Sequence, residues 1–163
     1  MSPKEPISTL AKMTDFVVNA YLQDLTDADF LTRTVPGANH IAWQMGHLIT
    51  AERDLLKGIP DTTPLELPAA FAEKHTKEKA AVNDANAFAT KAEYLSLYQK
   101  SRANFLKCLE SFPVENLSKA TEGPLASIAP TLSAMFILIA NHPMMHAGQF
   151  AVLRRKLGKP IVI

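Results

Sequence analysis

Two histidines four residues apart, His142 and His146 in "NHPMMHAGQ", are the first residues of this chain whose spacing could do chemistry. Residues i and i+4 of a helix share a face, about 6 Å apart at Cβ. Two imidazoles so placed can chelate one metal ion. The zinc-protease version of that pair carries a Glu directly after the first His. Here that position is Pro143, so that enzyme is excluded and no general base comes from the slot. A third ligand is available in "WQMGHLITAERDLL", where His47 stands among apolar neighbours and Gly46 would let another helix approach closely. Three imidazoles leave a coordination position open, as in reactive metal sites. Zinc, nickel, copper and iron(II) all accept such ligands, and the spacing does not choose among them.

The plain alternative is that these are ordinary helix histidines, since an i, i+4 pair also arises by chance. Cost argues against it. Burying imidazoles in an apolar stripe without partners is expensive, and one shared ion satisfies several at once. Pro143 has two readings. An interior proline removes a backbone hydrogen bond and crowds the carbonyl of Ile139. The resulting bend either aims the two imidazoles or is simply tolerated by packing.

Other polar residues are placed relative to this trio. Gln149 follows His146 by three and either holds a ligand's second nitrogen or packs. Asp54 and His40, each seven from His47, read as solvent-facing. His75 in "EKHTKEK" reads as solvated and dispensable. Cys108 reads as core rather than nucleophile, and Met144 and Met145 as packing.

Long helices must carry these groups. The chain has 163 residues, 47% of them hydrophobic and 20% charged, the balance of one globular domain over residues 1–163. A formal charge of +1 gives no electrostatic footprint for nucleic acid. One cysteine excludes an internal disulfide. "MSPKEPIS" lacks an apolar signal region, and "AMFILIA" is too short to span a bilayer, so a cytoplasmic protein without a membrane partner is expected.

Helical periodicity dominates. A first helix reads from about 8 to 25, with Leu10, Met13, Val17, Tyr21 and Leu25 as its apolar stripe. Asn39 is a suitable N-cap for a second helix over about 40–57, with Gly58 as its stop. Residues 59–89 lack a clean apolar face and read as a functional cover or mobile loop. "TKAE" at Thr90–Glu93 is a capping box opening a third helix to about Ser111. A fourth runs from near Pro130 or Thr131 to Leu157, roughly 40 Å. Four long amphipathic helices without strand signals make an all-α four-helix bundle, and the long connection between the second and third permits a crossover.

"NHIAWQMGHLITAERDLL" followed much later by "HPMMHAGQFAVLRRKLGKP" resembles the DinB/YfiT-like superfamily of metalloenzymes, over about Leu10–Pro160. The resemblance rests on the W-x-x-G-H and H-x-x-x-H-x-G-Q segments. It implies up-down-down-up topology and a divalent metal, often zinc or nickel, held by one His of the second helix and two of the fourth: His47, His142 and His146. It further implies a small-molecule substrate, thiol S-transfer with a low-molecular-weight thiol, and a homodimer. Pro143 departs from the family's usual helix-forming residue, which puts in doubt a catalytic role at that position but not the metal. A hydrolase with the same metal, or a non-catalytic metal-binding or stress-response module, remains open beside S-transfer. No cluster of Arg or Lys is evident for a thiol cofactor's carboxylates.

Overall fold

Helix α1 (Glu5–Leu22) begins with proline in its first turn, where a missing N–H costs nothing. The computed structural model describes residues 2–161; Met1, Val162 and Ile163, which the single-domain reading takes in, lie outside the described residues. A short helix α2 (Asp27–Leu31) follows, started by Thr26 and Asp29 in a reciprocal capping box. By periodicity this stretch is only a break in the helical pattern. Helix α3 is Ile41–Lys57, α4 is Lys91–Ser111 and α5 is Leu132–Lys156. Among the described residues there is no strand, only one antiparallel bridge between Ala120 and Thr131.

The capping box at Thr90 and Glu93 opens α4 as expected. Thr131 caps α5 through its hydroxyl, and Gly158 lies just past the end at φ 67°, where a side chain would be strained. Helix α5 runs unbroken through Pro143. The long helices form a closed set of neighbours, α1 on α5, α5 on α3, α3 on α4 and α4 on α1.

Two expectations are corrected. The N-cap of α3 is His40, not Asn39: its Nδ1 accepts the N–H of Trp43 at 3.1 Å, while the Asn39 carbonyl accepts from the Gln44 side chain. The buried stripe of α1 is also rotated. Ile7, Ala11, Thr14, Val18, Tyr21 and Leu22 face inward, whereas Met13 is 60% exposed. Apolar residues ring this helix, and small Ala11 and Thr14 are what fit between packed neighbours.

The core has two apolar clusters. One gathers Val18, Leu22, Met45, Ile49, Tyr94 and Phe150. The other gathers Ile7, Leu56, Phe105, Phe112, Phe136 and Ile139. Along α1, α3 and α4 the residues between them are polar: Asp15, Glu52, Ser101 and Arg102. Arg102 Nε donates to Asp15 at 2.7 Å, its Nη1 donates to the Glu52 carboxylate, and Ser101 Oγ donates to Glu52 at 2.5 Å. Burial pushes both carboxyls above their ordinary range, and the guanidinium opposes that shift.

Candidate metal centre

Helices α3 and α5 bring His47, His142 and His146 together. One ring nitrogen from each lies within 4.8 Å of the others, and the ring centroids are 5.1–5.4 Å apart. His146 is buried; His47 and His142 are partly open. Their burial depresses all three pKa values, to about 4 for His142 and about 3 for His146. At neutral pH each ring is therefore uncharged and keeps a lone pair, which is what a metal ligand needs.

One ring is further prepared. His146 Nδ1 lies 2.8 Å from Gln44 Oε1. An amide oxygen only accepts, so Nδ1 carries the proton and Nε2 presents its lone pair. That nitrogen has no hydrogen-bond partner among the described residues, nor has either nitrogen of His47 or His142. Three unspent imidazole nitrogens converging in this way fit a borderline divalent cation.

The wall beside His47 is Trp43, four residues earlier and thus on the same face. Its ring stacks on the imidazole with centroids 5.1 Å apart and planes 4° from parallel. Its Nε1–H donates to the Thr76 carbonyl at 2.9 Å. The connection between α3 and α4 is therefore anchored at the site, through single 3-10 turns at Ala72–His75, Lys77–Lys79 and Ala85–Ala87. The Lys77 cation from this connection adds to burial in lowering the pKa of His47.

The arrangement fits the DinB superfamily, whose family profile matches residues 17–150. The chain belongs to the DinB superfamily. The fold of this DinB-superfamily chain is also that of a crystal structure of a conserved protein from Enterococcus faecalis. That structure has a TM-score of 0.77 and 21% identity over 98% of this chain and 99% of that one. No match was found among curated proteins.

Several sequence readings change. His75 is not solvated: it is 4% exposed. Its Nδ1 lies 2.7 Å from the Phe71 carbonyl and its Nε2 2.6 Å from the Tyr94 hydroxyl. It is also what approaches Gly46, in place of a helix: a Cβ there would lie 2.0 Å from the His75 ring. His40 is fully buried rather than exposed. Gln149 is exposed and holds no ligand nitrogen; Gln44 does that work. Gln44 sits three residues before His47, so a buried amide on the ligand face was the available signal. Asp54 is exposed and pairs with Arg53, and Cys108 is core, both as expected.

Proposed function

We propose that this protein is a metal-dependent enzyme in which His47, His142 and His146 hold a divalent ion, zinc or nickel, and act on a small molecule. The observation that carries the reading is the Gln44–His146 hydrogen bond beside two imidazoles that have no hydrogen-bond partner among the described residues. When bound, an ion with an open position lowers the pKa of a coordinated water or thiol. The chain's own residues then have distinct tasks. Gln44 holds the His146 tautomer, Trp43 excludes water from one side of His47, and Lys77 adds a positive charge nearby. Among the described residues the metal-competent cluster contains no carboxylate. Neutral imidazoles with a neighbouring cation suit an anionic reactant, thiolate or hydroxide alike, and the family resemblance is what prefers thiol S-transfer over hydrolysis.

The up-down-down-up course of the four long helices belongs to the same proposal, as do a cytoplasmic setting and a homodimer. No helix among the described residues is long and apolar enough to cross a membrane. The dimer is supported by an apolar cleft of about 440 Å³ on α1 and α5, lined by Met13, Phe16, Val17 and Met144 with Lys12. Phe16 there is 67% exposed. Sedimentation at micromolar concentration should give a dimer; a monomer alone would remove this part.

The test of the main reading is elemental analysis of protein purified without chelator, followed by turnover assays. One zinc or nickel per chain is expected, with metal-dependent consumption of an electrophile in the presence of a low-molecular-weight thiol. Stoichiometric metal without turnover of electrophile or activated ester favours the second reading, a non-catalytic metal-binding module. The missing carboxylate base is the observation on its side.

A further inference from the structure

Pro143 leaves a buried carbonyl without its helical donor. In an unbroken helix the N–H of residue 143 would donate to Ile139, and proline has none. Ile139 is 1% exposed, so water is a poor substitute, and an orphaned buried carbonyl is costly. The donor that reaches it comes from another helix: Arg102 Nη1 of α4 lies 3.4 Å from the Ile139 oxygen. That same nitrogen donates to Glu52 of α3, and Nε holds Asp15 of α1.

We propose that Arg102 is a positioning residue for the imidazole trio, replacing the missing Pro143 N–H and stapling α3 to α5; this rests on the metal reading above. Glu52 lies five residues after His47, and Ile139 three before His142. At 1.5 Å per residue the staple is about 5–8 Å along each axis from a ligand. Helix α4 supplies no ligand, yet through one guanidinium it touches both helices that do. Buried ion clusters are poor sources of net stability, and apolar replacements often serve as well. Arg102 is only 3% exposed, and its desolvation is better understood as fixing the register of the two ligand-bearing helices. A straight carbonyl–amide ladder at Ile139 would need no such arm; the proline creates the acceptor and the arginine uses it.

The test is a double-mutant cycle between Arg102→Lys and Pro143→Ala, read by zinc affinity in competition with a chromophoric chelator and by thermal unfolding of the metal-free protein. Lysine keeps the charge but cannot serve three acceptors in a fixed fork. With Pro143 in place, Arg102→Lys should weaken zinc binding on the order of tenfold, the scale of an outer-shell loss. In the Pro143→Ala background the new backbone N–H supplies Ile139, and most of that loss should disappear. The drop in Tm should be rescued in parallel. Equal losses in both backgrounds, in affinity or in Tm, overturn the proposal, because an arginine that only neutralises Glu52 and Asp15 is indifferent to residue 143. If Arg102→Lys does not fold in either background, Arg102→Gln combined with Glu52→Gln, which removes the guanidinium and the buried charge it leaves behind, takes its place in the cycle with the same expected rescue. A parent protein that binds no zinc or nickel defeats the metal reading, while coupling in Tm still decides whether the staple exists.

Discussion

His146 and His75 are both buried imidazoles whose Nδ1 faces an oxygen, Gln44 Oε1 at 2.8 Å and the Phe71 carbonyl at 2.7 Å. They differ at the other nitrogen. Nε2 of His75 meets the Tyr94 hydroxyl at 2.6 Å, whereas Nε2 of His146 meets no hydrogen-bonding group among the described residues, and the His146 ring lies 5.4 Å from that of His47 and 5.1 Å from that of His142. His40 resembles His75, with Nδ1 capping α3 and Nε2–H donating to Val82. Burial and depressed pKa are common to all three. What distinguishes a candidate ligand is therefore the unspent lone pair, and what distinguishes a structural histidine is a ring used at both edges.

The largest expected effect separates the two classes directly. His146→Ala should weaken zinc binding by more than about 100-fold, beyond the usual range for outer-shell residues. His75→Ala should leave zinc affinity within a few-fold while lowering Tm. Isothermal titration and thermal scans on both variants check this; comparable zinc losses would erase the distinction. The pH dependence should follow the same division of roles. Burial holds His142 to about 4 and His146 to about 3, both below the ordinary value of 6.5. At pH 5 the unfolded chain binds protons there that the folded chain does not, so stability falls as pH drops. Metal-free protein should lose stability from about pH 6.5 downward toward pH 4, and His142→Ala should flatten that slope.

A smaller effect concerns how the structural ring is seated. Gly46→Ala would place a Cβ 2.0 Å from Cδ2 and 2.2 Å from Nε2 of His75. The ring is held at both nitrogens and cannot swing away cheaply. Overpacking costs about 1–3 kcal/mol, against a helix-propensity gain of about 1 kcal/mol, so denaturant unfolding should show a net loss of up to about 2 kcal/mol. Adding His75→Ala makes room, and the double variant should be less damaged than the sum of the singles. Smaller again, Gln44→Met should weaken zinc binding about tenfold by freeing the His146 tautomer, and it should lower Tm modestly because the His146 Nδ1–H and the Asn39 carbonyl lose their partner. Unchanged affinity would show that the amide only packs.

Much of this was legible in the sequence, for definable reasons. Helix α4 was readable to its ends because a local capping box and Pro113 bound it. The trio was readable because i, i+4 spacing fixes two ligands and a mid-helix His offers a third. The misses depend on partners distant in sequence. His75 lies in a charged segment without periodicity, and its burial needs a missing side chain at Gly46 and a hydroxyl from Tyr94. Gln149 shared the ligand face by count, yet α3 supplies the amide instead because Gln44 points across the α3–α5 contact. On α1, Met13 and Phe16 look like core by type, but Asp15 is drawn to Arg102 and Tyr98, and that turns the helix. Arg102 itself gave no local signal: a guanidinium in an amphipathic helix is ordinarily a surface group, and only two carboxylates and an orphaned carbonyl from three other helices bury it.

The smallest expected effect tests whether the cap of α3 belongs to the structural class or to the site. His40 starts the helix that carries Gln44 and His47, so its replacement could in principle disturb the metal. Its two contacts can be separated. Asn is among the best N-caps, so His40→Asn keeps an acceptor for the Trp43 N–H. It removes the Nε2–H to Val82 and the edge-on ring contact with Phe88, whose centroid is 4.6 Å away. Losing one partly buried hydrogen bond and that packing should cost about 1 kcal/mol, while helix α3 still begins at the same residue and zinc affinity stays unchanged. His40→Ala removes the cap as well and should cost about 1 kcal/mol more, again without altering zinc binding by more than about twofold, since the Gln44–His146 bond is made a full turn further on. If His40→Asn instead weakens zinc as strongly as Gln44→Met, the start of α3 is part of what aims the ligands, and the line between a ring spent on structure and a ring kept for metal must be drawn on the other side of His40.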